Sequence, residues 1–135
     1  MTQEDKELLL KDLCARLPYG VKVKLGDNPN IFDLEYRIKF AAMYGDSDKL
    51  EDILDITNIK PYLFPLSSIT IEQERELSKL GVSYGEYALH DDIRGLGIMV
   101  DEAYIFFEFC YKHHIDFLGL IEKGLAIDAT GLNIY

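Results

Sequence analysis

Apolar positions along the chain change period several times, and each change marks an element. In TQEDKELLLKDLCARLPYG, Leu10, Leu13, Cys14 and Leu17 fall at i, i+3, i+4 and i+7, which is one face of a helix. Thr2 stands at its cap with Asp5 three residues on, Glu7 and Lys11 pair at i, i+4, and Pro18 and Gly20 stop it. VKVKL then alternates at period 2 and predicts a strand with Val21, Val23 and Leu25 on one face. GDNPN is turn chemistry, and IFDLEYRIKFAAMYGDSD predicts a second strand, with Leu34, Tyr36, Ile38 and Phe40 opposite Glu35, Arg37 and Lys39. The short loop makes the pair an antiparallel hairpin at about 21–42.

KLEDILDITNI fits a strand or a short helix equally. Pro61 and Pro65 exclude an interior helix from KPYLFPLSSIT, which reads as an extended, partly buried connection. Thr70 caps the next helix with Gln73 at the capping-box position, and Gly81 ends it. VSYGEYALHDDIRGLG admits short strands around Val82 to Leu89. In IMVDEAYIFFEFCYKHH, Val100, Ala103, Tyr104, Phe107 and Tyr111 share a helical face that Ile105, Phe106, Phe109 and Cys110 broaden, so a largely buried helix is expected. A shorter helix follows, capped by Asp116 and ended by Gly124.

These elements predict a single α+β domain over residues 1–135: an N-terminal helix, an antiparallel sheet built on the hairpin, and C-terminal helices packed on the sheet. The expected core contains Leu10, Leu13, Val21, Val23, Leu34, Tyr36, Ile38, Leu77, Phe107 and Leu120. If helices cover one sheet face, the other is open to a partner or a second copy.

Charge narrows the function classes. The net charge is −10, with 14 basic against 24 acidic residues, and the basic residues are dispersed, Lys22 and Lys24 in one segment and Arg37 and Lys39 in another. Such a field repels a phosphate backbone, so direct nucleic-acid binding is not expected. Acids occupy the start, MTQEDKELLL, where a signal peptide carries positive charge. No apolar run approaches the ~20 residues of a membrane span. Cys14 and Cys110 do not form a disulfide framework. A cytoplasmic protein with no membrane association is the expectation.

The richest stretch for chemistry is CYKHHIDFLGLIEKGLAID, Cys110 to Asp128. Adjacent histidines on a helix point ~100° apart and do not share a metal, and neither CxxC nor HExxH occurs, so no metal or cofactor is expected. His113 and His114 suit the negative end of a helix dipole and Asp116 the positive end of the next helix. The catalytic alternative joins His114 to Asp116, His113 to Glu122, or Cys110 to His114 as a general base or nucleophile pair. It has no nucleophile elbow or SxxK beside it. Ser67 and Ser68 read as turn and cap residues, HDDIRGLG as a charged loop around His90, and DSDKLE as an incomplete calcium loop. Tyr62, Tyr84 and Tyr87 lie near turns and are candidate binding anchors.

KDLCARLPYGVKV, KPYLFPLSSIT and HHIDFLGLIEKGLAID, in that order, resemble a group of small uncharacterised proteins of gut Bacteroidales genomes and their phages or mobile elements. The resemblance covers most of the chain in outline and about 40 residues closely. It brings no activity, catalytic residue or ligand. It implies a basic residue at the positions of Phe64 and Leu118, which are apolar here and therefore candidates for a local contact. It also favours a host-associated or phage-accessory role over central metabolism.

The leading expectation is a non-enzymatic protein-interaction or accessory module with a protein partner or a second copy of itself. The alternative is a small hydrolase or transferase using a His/Asp or Cys/His pair near 110–122. A third is an acidic nucleic-acid mimic, which needs carboxylates spaced like phosphates.

Overall fold

The computed structural model describes residues 1–44, 56–80 and 100–135. Helix α1 runs Gln3–Arg16, and the expected Thr2 cap forms a capping box with Asp5, each side chain bonding the other's backbone N–H. Its buried stripe is Leu9, Asp12, Leu13 and Arg16, not the stripe through Leu10 and Cys14; Leu10 is half-buried and Cys14 is exposed. The stripe is rotated because two charged residues belong to the core. Arg16 has 0 % exposure, and its Nε donates to Asp12 Oδ2 at 2.8 Å.

Gly20, at φ +72°, turns the chain into strand β1, Lys22–Leu25. The expected hairpin forms: β1 pairs antiparallel with β2, Phe32–Asp33, in the register Lys22 to Asp33 and Val23 to Phe32. The second strand stops there, and Leu34–Tyr44 is helix α2. Asp33 Oδ1 accepts the N–H of Tyr36 at 3.3 Å and so caps the helix start. Glu35 and Lys39 pair at i, i+4, 2.9 Å apart. Leu34 and Ile38, also i, i+4, face the core, while Tyr36 is 68 % exposed and is not a core residue.

Strand β3, Ile59–Pro65, is the middle of the sheet, a larger role than a connection. It runs antiparallel to β1 and parallel to two short strands, β4 (Ile115–Asp116) and β5 (Ile127–Asp128), so the sheet is mixed. Backbone groups alternate between strand edges. Gly26 N–H donates to Asn58 O and Phe64 N–H to His114 O, which places the even-numbered residues on the edge shared by β1 and β4. Ala129 N–H donates to Leu63 O, so Pro61 and Pro65 fall on the β5 edge, where their missing N–H groups limit pairing to two residues.

Helix α3, Ile71–Lys79, carries the expected Thr70–Gln73 capping box. Helix α4, Val100–Lys112, ends just before the paired histidines. The segment after Asp116 folds as a series of turns and not as the predicted helix; Leu125 and Ala126 both donate backward to Leu120 O. The core has two parts. One, with Leu9, Leu13, Val23, Leu34 and Leu63, lies between α1 and the sheet. The other, with Leu77, Phe106, Phe109 and Phe117, lies between α3, α4 and the turns. Phe107, expected in the core, is half-buried and stacks on Phe117 at 4.8 Å.

Arg16 joins these parts. Its Nη1 donates to Cys110 O in the last turn of α4 and its Nη2 to Ile115 O in β4. Replacing Arg16 with Met leaves the Asp12 carboxylate buried without a counter-charge. Arg16→Met is expected to lose about 3–5 kcal/mol of stability in urea denaturation, and Asp12→Leu combined with Arg16→Met to recover much of that loss.

Candidate functional site

Most candidate side chains of the 110–128 stretch are engaged in packing, pairing or capping. Cys110 is fully buried, and burial pushes its thiol far above the ordinary range, away from the thiolate that nucleophilic chemistry needs. Both oxygens of Asp116 accept backbone N–H groups, Oδ1 from Leu120 and Oδ2 from Ile121, each at 2.9 Å. His113 lies with Nε2 3.0 Å from Glu76 Oε2 on α3, beside Lys112, which reaches Oε1 of the same carboxylate at 3.3 Å. Burial opposes ionisation of the Glu76 carboxyl, but the hydrogen bond and charge of Lys112 and the contact with His113 hold it below its usual range. No hydrogen bond or ion pair joins His113 to Glu122, His114 to Asp116 or Cys110 to His114 among the described residues. Nor does any group of His, Cys, Asp or Glu there have the makings of a metal site.

His114 is the unusual member. It takes φ +58° where the chain leaves α4 and bends into β4, and it is 8 % exposed. The Tyr135 ring stacks on it with centroids 3.6 Å apart and planes 12° from parallel, and Phe64 flanks Tyr135 at 5.9 Å. The Tyr135 hydroxyl enters the sheet: Lys22 N–H donates to it at 2.9 Å, and it donates to Tyr62 O at 2.8 Å. That bridge replaces the next direct step of the β1–β3 ladder. Burial, reinforced by Arg16, His113 and Lys22, lowers the His114 pKa to about 4. Its Nδ1 is buried without a hydrogen-bond partner.

The remaining sequence candidates are also placed. Tyr62 is 7 % exposed and covered, so it offers no free ring to a partner. Leu118 is half-buried and packs against both core parts. Phe64 is half-buried beside Tyr135. Ser68 Oγ donates to Pro65 O at 2.6 Å, a turn role. Tyr84, Tyr87, His90 and DSDKLE lie outside the described residues.

The open chemistry sits on the sheet. Alternation puts Val23, Ile59, Pro61 and Leu63 on the core face and Lys22, Lys24 and Lys60 on the other. Lys24 and Lys60 are directly opposite in the β1–β3 register. Their Cβ atoms are therefore about 5 Å apart. Lys22 has Asp33 at 3.7 Å, whereas Lys24 and Lys60 have no ion pair among the described residues. They border a groove of about 450 Å³ completed by Gly26, Asp27, Thr57, Asn58 and Ile127. Along the sequence Lys24 is one of several dispersed basic residues; the register that brings Lys60 opposite is not written in local periodicity.

No protein-family model, curated protein or solved structure matches the chain. Among the described residues no helix is long and apolar enough to cross a membrane.

The His114 environment makes a pH prediction. Its folded pKa of about 4 lies below the ordinary 6.5, so the unfolded chain binds its proton first as pH falls. The stability due to neutral His114 is complete above pH 6.5 and is lost as pH drops toward 4, by about 3 kcal/mol in total. Asn tolerates the positive φ, and His114→Asn is expected to flatten that part of the stability–pH curve in urea titrations between pH 7 and 4. Tyr135→Phe leaves Lys22 N–H and Tyr62 C=O without their bridge. It is expected to cost about 1–3 kcal/mol and to speed hydrogen exchange at the Lys22 amide.

Proposed function

We propose that this protein is a non-enzymatic interaction module that holds an anionic group of a partner protein against Lys24 and Lys60. One observation carries the reading. In a chain of net charge −10, two lysines stand directly opposite on adjacent strands, with no carboxylate paired to either among the described residues. Like charges across a ladder destabilise the sheet. An acid at either position would relieve the repulsion, so the pair is explained by what it attracts. The structural employment of Cys110, His113 and Asp116 supports the same reading, since each group is engaged in packing, pairing or capping. The resemblance to proteins of Bacteroidales phages and mobile elements supports an accessory role.

The test uses a short neutral peptide carrying one Glu-Glu pair, titrated into the isotopically labelled protein. Amide shifts are expected at Lys24, Gly26 and Lys60 and are expected to vanish in Lys60→Glu. That variant is also expected to be more stable than the parent, by about 0.5 kcal/mol, because it converts a repulsive cross-strand pair into an attractive one. A peptide that moves no groove amide at millimolar concentration, or Lys60→Glu that binds as the parent does, refutes the proposal.

A further inference from the structure

The groove restricts how its anion carries charge. Lys24 and Lys60 stand side by side on one sheet face and line a groove that Asp27 also lines. An extended polyanion laid along the groove would meet the Asp27 carboxylate as well as the lysines. A compact anion that concentrates its charge between the lysines avoids that repulsion. A single carboxylate answers only one of two ammonium groups. A phosphomonoester carries nearly two negative charges and three acceptor oxygens on one centre, enough for both. The volume, about 450 Å³, suits one side chain and its neighbours and not a broad interface.

Resting on the interaction reading above, we infer that the anion is the phosphate of a phosphorylated side chain in a partner protein, received between Lys24 and Lys60. Asp27 occupies the same groove as an acceptor for N–H or O–H groups beside the phosphate, which favours a phosphorylated residue over a bare phosphate ion. The order of preference that follows is phosphopeptide, then Glu-Glu peptide, then inorganic phosphate.

Calorimetric titrations of the full chain test this with four probes: a short neutral peptide carrying one phosphoserine, the same peptide with serine, the Glu-Glu peptide, and inorganic phosphate. The phosphoserine peptide is expected to bind about tenfold more tightly than the Glu-Glu peptide, and the serine peptide not at all. Raising salt is expected to weaken binding, and Lys24→Gln and Lys60→Gln are each expected to remove most of the affinity. Equal or tighter binding of the Glu-Glu peptide overturns the phosphate assignment and leaves the interaction reading standing. Inorganic phosphate binding as tightly as the phosphopeptide overturns the partner segment. Silence from all four probes overturns both. Lys39→Gln, on α2 and already paired with Glu35, serves as the charge control; an equal loss there shows nonspecific attraction and also overturns the inference.

Discussion

A buried guanidinium organises the fold. Arg16 closes α1, and its three donor atoms reach Asp12 in the same helix, Cys110 O in the last turn of α4, and Ile115 O in β4. The last four carbonyls of a helix have no partner within it. In α4 the chain itself satisfies two of them, through His113 N–H on Phe109 O and His114 N–H on Tyr111 O, and Arg16 supplies the partner for Cys110 O. It also brings positive charge to the negative end of the α4 dipole and lies 5.2 Å from the Tyr111 ring centre. Burial pushes the Asp12 carboxyl up while Arg16 opposes it, and Asp12 Oδ1 remains without a partner. The buried pair is therefore an imperfect ionic contact whose value lies in fixing which elements meet, since breaking it from either side strands a charge.

The geometry beyond α4 follows from that anchor. Ile115 O must point back toward Arg16 while His114 O accepts Phe64 N–H from β3. The chain meets both demands by taking His114 through the left-handed region, at φ +58°. The imidazole then lies where Tyr135 covers it, and the tyrosine hydroxyl bridges β1 and β3 where direct pairing stops. The paired histidines are thus a corner of the fold. Burial that holds His114 neutral near pH 7 also makes it a poor proton carrier at that pH.

Much of this was legible in the sequence where local signals act alone. The Thr2 cap, the Thr70–Gln73 capping box, the first strand and turn of the expected 21–42 hairpin, and the buried helix before the paired histidines follow from cap chemistry, period and turn residues. Errors arose where two signals competed. Leu34, Tyr36, Ile38 and Phe40 alternate like a strand, but Asp33 as a cap and the Glu35–Lys39 pair at i, i+4 decide for a helix. In α1, assigning charged residues to the outside rotated the stripe by one position, because Asp12 and Arg16 satisfy each other inside. Asp116 was identified as a cap, and it does collect two backbone N–H groups, yet what it caps is a turn. The Tyr135 bridge and the Lys24–Lys60 pair were invisible because they join residues 113, 73 and 36 positions apart, and no period reaches that far.

The same sheet holds the two opposite uses of polar groups. Near the core and at the β4 edge, Arg16, Asp116 and Tyr135 are placed so that they meet protein partners: Arg16 on carbonyls, Asp116 on amides, Tyr135 between strands. Around Lys24 and Lys60 the arrangement is reversed, with two like charges held together by the register and separated from the core by the sheet itself. The register cannot slip to part them, because a one-residue shift would carry Val23 and Ile59 out of the core. The hydrophobic pattern that stabilises the sheet therefore also fixes the spacing of the two Cβ atoms from which the lysine stems rise. For the anion proposed above, the fold thus supplies fixed anchor points, and what remains to be ordered on binding is the two lysine stems.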